Sequence, residues 1–148
     1  MPRGFGVFAL DHRGHGRSHG KRGHVDAFSQ YIDDLDVFMD IVQSKSNGPF
    51  FLFGHSMGGL IALSYAILYP EKISGVVSSS AALKLALEVP KFKEKLGLFM
   101  SRVWPTLSLN NEIDPDMLSH DADVVDAYKN DPLVHTKVSA RWFTEFVA

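Results

Sequence analysis

"FFLFGHSMGGLIALSYA", Phe50 to Ala66, is the stretch whose reading decides the fold. It opens on an apolar run rich in β-favouring aromatics and closes on a segment apolar nearly all round. Between them, Gly54-His55-Ser56-Met57-Gly58 has the pattern G-x-S-x-G. Five residues alone are a weak signal. Set between an apolar strand and an apolar helix, they predict a strand-to-helix turn tight enough to strain the serine backbone. Glycine removes Cβ bulk that such a turn cannot hold, which is the part read for Gly54 and Gly58. Gly59 is read as letting the helix pack against the next strand. The turn lifts the Ser56 hydroxyl out of the C-terminal edge of the sheet, where crevices form in open α/β folds. A helix beginning at Met57 points N–H groups and a positive dipole end at the same spot. The Met57 N–H is then a natural donor to a developing oxyanion, and Ser56 a candidate nucleophile.

Working outward, "GFGVFALD", Gly4 to Asp11, reads as a buried strand. "HRGHGRSHGKRGH" is glycine-rich and aperiodic, hence a loop. In "AFSQYIDDLDVFMDIVQS" the apolar residues Phe28, Ile32, Leu35, Phe38, Met39 and Val42 recur at helical spacing. "SNGP" breaks the chain before the central stretch, and "ISGVVSSS" after it reads as a third strand. Strand, helix, strand, helix, strand implies parallel pairing through right-handed crossovers. From Leu83 onward the pattern changes and no strand is expected. "FKEKLGLFMSRVW" sets Phe92, Leu96, Phe99, Met100 and Val103 on one helical stripe. Asp114-Pro115 opens a short helix, "SHDADVVDAYKN" reads as another capped by Ser119, and "KVSARWFTEFVA" begins a last one with Val138, Trp142 and Phe146 aligned. That divides the chain into a core, residues 1–82, and a helical region, residues 83–148, cut off at its C-terminal end.

The chain has 148 residues, a formal net charge of −2 and no cysteine. Such a charge gives no nucleic-acid surface. Without cysteine there are no disulfides, thiolate metal sites or cysteine nucleophiles. The start, "MPRGFGVFAL", lacks the features of a signal peptide, and no apolar run approaches the ~20 residues of a membrane span. A cytoplasmic protein is expected. His12, His15, His19 and His24 with Asp11 and Asp26 invite a metal reading, but a loop of this kind reads better as structural or site-lining, so neither metal nor cofactor is expected. The stripe from Phe92 to Val103 is read as packing together with substrate contact. Lys84, Lys91, Lys93, Lys95 and Arg102 around it, against Glu88 and Glu94, keep peripheral membrane contact open.

"FALDHRGHGRSHG", "GHSMGGLIALSYA", "SGVVSSSAALKLA" and "DPLV" together resemble the α/β-hydrolase superfamily, nearest its monoacylglycerol lipase and lysophospholipase branch. The resemblance implies a partial α/β-hydrolase fold, a parallel sheet with flanking helices plus a helical cap. It implies hydrolysis of a lipidic carboxylic ester without cofactor, Ser56 as nucleophile, the Met57 N–H in the oxyanion hole and His55 in the shell of the elbow. In that family the acid and the histidine follow on later strands, and the second oxyanion donor comes from an upstream loop. Neither has a match in these residues. An improvised set of Ser56, Asp114 and His135 has the family's chain order but falls on the cap. The resemblance also leaves "GFGVFALD" and "FFLFGH" without the strand between them, so the two are expected to pair directly or the chain to form a homo-oligomer. Two other readings stay open: a catalytically silent fragment or oligomerisation module of such a hydrolase, and a thioesterase.

Overall fold

The computed structural model describes residues 4–84, 91–111 and 113–147. The chain forms two compact units: Met1–Leu10 with Ser29–Leu87, and Asp11–Phe28 with Glu88–Ala148.

The first unit contains α1 (Ser29–Lys45), β1 (Phe51–His55), α2 (Met57–Leu68), a 3₁₀ turn (Pro70–Lys72) and β2 (Gly75–Ser79). The helical spacing in α1 buries Tyr31, Ile32, Leu35, Met39 and Val42. They join Ile61, Ala62 and Tyr65 of α2 in the core. A polar network ties the two helices. Tyr65 Oη donates to Asp36 Oδ1 at 2.8 Å, and the Lys72 ammonium bonds the same oxygen and reaches Asp40 at 3.3 Å. The hydrogen bonds from Lys72 and then Tyr65 hold the Asp36 carboxyl below its ordinary range. Burial, followed by that carboxylate, pushes the Tyr65 hydroxyl up.

β1 and β2 pair in parallel, in register from Phe51↔Gly75 to His55↔Ser79, with α2 as the crossover. α2 packs on both strands. Phe51, Phe53 and Val77, which alternate onto one face of the sheet, stay exposed. This is the parallel sheet with flanking helices that the sequence predicts. Gly4–Leu10 is a correction: no strand forms there, it pairs with neither β1 nor β2, and Phe5, Val7 and Phe8 are exposed. Its residues have strand propensity, but a strand exists only through a ladder with a neighbour, and among the described residues none takes it.

The second unit contains α3 (Lys91–Val103), β3 (Ser108–Asn110), a 3₁₀ turn (Pro115–Met117), α4 (Ala122–Asn130), β4 (Lys137–Ser139) and α5 (Ala140–Val147). β3 and β4 pair antiparallel, where no strand was expected. Val138 therefore lies in β4, while Trp142 and Phe146 stack within α5 at 4.5 Å. Asp114 caps the 3₁₀ turn as expected, through Asp116 N–H. The cap of α4 is Asp121, which accepts from Asp123 N–H, and Ser119 instead accepts from Asp121 N–H. α3 packs on α5 through small residues one turn apart. Gly97 lies against Phe143, and Ser101 Oγ meets Thr144 Oγ1 at 2.8 Å.

Candidate active site

β1 delivers the chain to Ser56, and α2 begins at the next residue. Ser56 has φ 52 and ψ −118, a conformation that a non-glycine residue adopts only when its surroundings hold it there. Such strain costs on the order of 1–3 kcal/mol. The holding bonds are backbone. Ser56 N–H donates to Ser79 O at 3.0 Å, and Ser56 O accepts from Leu60 N–H at 3.1 Å and from Ala82 N–H at 3.2 Å.

Ser56 occupies the N-cap of α2, yet its hydroxyl makes no capping bond to that helix. A serine at this position ordinarily has extended backbone and accepts from the second or third helical N–H. The left-handed φ turns Ser56 away from that role and leaves it exposed. Leu60 N–H makes the first intrahelical bond, so the N–H groups of Met57, Gly58 and Gly59 have no acceptor inside α2. They gather partial positive charge beside the hydroxyl.

The glycines divide their parts differently from the sequence reading. A Cβ on Gly54 would run into the Gly58 carbonyl and lie 2.7 Å from Gly59 N, so no side chain fits. A Cβ on Gly59 would lie 2.9 Å from Ser78 Oγ and 3.0 Å from Ala81 Cβ, so α2 does close on the chain after β2 there. Gly58 is the correction: a Cβ there meets nothing within 4 Å. The crowding in this turn falls on the backbone of Gly58 and not on its α-carbon substituent. His55 is exposed and its Nδ1 lies 3.2 Å from Ser79 Oγ, which binds it to β2. It is the one histidine among the described residues of this unit.

The histidine-rich loop spends its polar groups inside the second unit. Ser139 N–H donates to Gly23 O at 2.8 Å, and the two backbones approach so closely that a Cβ on Gly23 would strike Lys137 O. Lys137 N–H donates to His135 Nδ1 at 3.2 Å and His135 Nε2 bonds Gly14 O at 3.0 Å, so both ring nitrogens are engaged. The His15 ring lies 4.9 Å from it, and burial lowers the pKa of His15. With both nitrogens committed, His135 is a structural residue, and Asp114 is spent on its cap. His24 Nδ1 lies 2.8 Å from Ser139 Oγ and its Nε2 lies 3.4 Å from Asp26. This Ser139–His24–Asp26 chain has the residue types of a catalytic triad, but Ser139 is 1% exposed and its Oγ accepts from Trp142 N–H to cap α5. Among the described residues no group of three or more His, Asp or Glu could hold a metal ion.

On α3, Phe92, Leu96, Phe99 and Val103 are all more than half exposed and Met100 is half-buried. The packing expected of this stripe is corrected: α5 sits on the Gly97–Ser101 side, because small residues let two helices approach and large ones hold them apart. Lys91, Lys95 and Arg102 are exposed beside the stripe, while Glu88 and the Lys93 side chain lie outside the described residues. No described helix is long and apolar enough to cross a membrane.

Comparison with known proteins agrees with this geometry. The whole chain, residues 1–148, matches the Hydrolase_4 family, described as serine aminopeptidase, S33. The monoacylglycerol lipase of Paleococcus ferrophilus superposes with a TM-score of 0.83 at 40% identity, covering 98% of this chain and 56% of that one. Monoacylglycerol lipase of Mycolicibacterium smegmatis is 38% identical over 87% of this chain and 46% of its own length. Phospholipase YtpA of Bacillus subtilis is 34% identical over 97% of this chain and 56% of its own length. The chain thus spans about half the length of these two curated relatives. A strained serine between a parallel strand and a helix that packs on the sheet, and a family match along the entire sequence, lead to one conclusion: the chain belongs to the Hydrolase_4 family of the α/β-hydrolase superfamily and is similar to monoacylglycerol lipases.

Proposed function

We propose that this chain carries the nucleophile of a carboxylic-ester hydrolase acting on monoacylglycerol-like lipids. One observation carries the reading: Ser56 stands at a helix N-terminus in a strained conformation that withholds its hydroxyl from capping. A hydroxyl so placed is spent on no cap and belongs to the residue next to N–H groups that have no acceptor within the helix. Ser56 Oγ attacks the ester carbonyl carbon, and the oxygen that gains charge is met by the Met57 N–H. The alcohol leaves with a proton, and water clears the acyl-enzyme by the same steps in reverse order. A base must take the Ser56 proton and return it to the leaving alkoxide. Neither His135 nor His24 is available for this, and we assign the base and its orienting acid to sequence outside these 148 residues, following the family's chain order. The family description names a peptidase, but relatives at 34–40% identity carry lipase and phospholipase names, which favours an ester. The bare stripe Phe92–Val103 suits an acyl chain, and its basic flank suits the anionic surface where such lipids reside. The test is covalent: a phosphonate reagent is applied to the chain and to Ser56→Ala, and the adduct is mapped by peptide mass spectrometry. Labelling confined to Ser56 supports the reading, and an adduct on Ser18, Ser78 or another serine refutes it.

A further inference from the structure

The strand after the crossover does not run straight past the elbow. In a regular parallel ladder, the two backbone partners of one residue stand two positions apart on the neighbouring strand. The register His55↔Ser79 continued by one places Ser56 opposite Ser80, so its partners should be Ser79 and Ala81. Ser56 N–H does bond Ser79 O, but Ser56 O accepts from Ala82 N–H, three positions on. One extra residue is taken up, as in a β-bulge. Ser80, at φ 46, is where the chain absorbs it, and Ser56 and Ser80 are the two non-glycine residues with positive φ among those described.

We propose that the Ser79–Ala82 bulge is a clamp that holds Ser56 in its strained conformation, with Ser80 as the positioning residue. The proposal rests on the reading of Ser56 as nucleophile. The bulge meets the elbow through Ser79, Ala81 and Ala82. Ser79 Oγ meets His55 Nδ1 at 3.2 Å, Ser79 O and Ala82 N–H take both backbone groups of Ser56, and Ala81 Cβ would stand 3.0 Å from a Cβ on Gly59. Straightening Ser80 to an extended φ moves Ala82 N–H away from Ser56 O. Ser56 then relaxes to the extended backbone of an ordinary N-cap, and its hydroxyl turns back onto α2. The clamp therefore decides whether Ser56 serves as cap or nucleophile.

The residue type at position 80 tests this, because glycine and asparagine adopt positive φ readily, alanine less so, and a β-branched residue least. Ser80→Gly, Ser80→Asn, Ser80→Ala and Ser80→Val are compared in the full chain by amide exchange at Ser56, Ala82 and Leu35, and by the rate of phosphonate labelling. We expect Ser80→Gly and Ser80→Asn to keep the wild-type protection and rate. Ser80→Val should lose about tenfold or more in both at Ser56, with Leu35 in α1 unchanged. Ser80→Ala falls between, and carries the test if Ser80→Val does not fold. Equal protection and labelling in all four chains overturns the clamp, as does a loss at Leu35 matching the loss at Ser56, which means general unfolding. Labelling at a serine other than Ser56 in the wild-type chain overturns the nucleophile reading instead, and amide exchange then judges the clamp alone.

Discussion

Two glycines four residues apart in one motif should behave in opposite ways when each gains a methyl group. In Gly54→Ala the new Cβ meets the Gly58 carbonyl and lies 2.7 Å from Gly59 N. Unstrained carbon contacts lie at about 3.5–4.0 Å, so the end of β1 and the first turn of α2 must part by about 1 Å. Overpacking costs about 1–3 kcal/mol when side chains can give way; here the obstacle is backbone, so we expect about 3 kcal/mol. In Gly58→Ala the Cβ meets nothing within 4 Å and φ is not positive, so no strain opposes it. Alanine in a helix is favoured over glycine by about 0.5–1 kcal/mol, so this variant should equal or exceed the wild type. The pair should differ by about 4 kcal/mol, a large share of the ~5–15 kcal/mol that stabilises a domain. Urea unfolding measures it. With slopes of about 1–3 kcal/mol per molar, the Gly54→Ala midpoint should fall by ~1 M or more at unchanged slope. A Gly54→Ala midpoint close to wild type, or a Gly58→Ala loss as large as that of Gly54→Ala, refutes the account of the turn.

Asp36 has its pKa lowered from 3.8 by Lys72 and Tyr65, so its contribution is present above that value and lost as pH falls through the lower folded value; the stability gap between wild type and Asp36→Asn should be constant near neutral pH and close in acid, as urea midpoints at a series of pH values will show. His15 has its pKa lowered from 6.5 chiefly by burial, with His135 and Arg22 pushing the same way and the Arg13 carbonyl and Asp11 opposing. Its folded form binds fewer protons than the unfolded one, so the second unit should lose stability as pH falls below about 6.5, and thermal melts of His15→Gln should show a flatter pH profile. Ser139→Ala should cost about 1–2 kcal/mol by removing the cap of α5 and the partner of His24, without slowing phosphonate labelling, while Ser56→Ala abolishes labelling at no such cost.

α1, β1, α2 and β2 were legible because each holds several turns or residues of one period, and the elbow because glycine, serine and glycine fall where strand period gives way to helix period. β3 and β4 are three residues each, too short to show any period, and pair across 27 to 31 positions. The docking of the histidine loop on β4 was invisible for the same reason: His24 and Ser139 are 115 positions apart, and nothing local announces that a glycine-rich turn will seat on that strand. The α3 stripe was read correctly as a face and wrongly as a packed one, since amphipathic spacing says which side is apolar and not what covers it. The failure at Gly4–Leu10 has the same cause, because propensity supplies a strand's residues and only a neighbour supplies its hydrogen bonds. Gly58 was misread because a motif records two glycines without recording which one is crowded.

Two serines stand at helix N-caps among the described residues, and their surroundings differ. Ser139 is 1% exposed, accepts Trp142 N–H and meets His24, whose far nitrogen faces Asp26. Its hydroxyl is saturated and shut away, so the residue types of a triad there produce a brace. The nitrogens are also used the other way round, with Nδ1 toward the serine, where the catalytic arrangement places Nε2. Ser56 has the same side chain at the same helical position, but its φ of 52 denies it the cap, leaving it exposed where the first N–H groups of α2 converge. The cost of that conformation is offset by bonds from Ser79 and Ala82 that a merely structural serine would not need. Strain held in place by a neighbouring strand, next to a hydroxyl with no structural task, is what the sequence motif encodes, and the residue types alone do not distinguish it from the brace at Ser139.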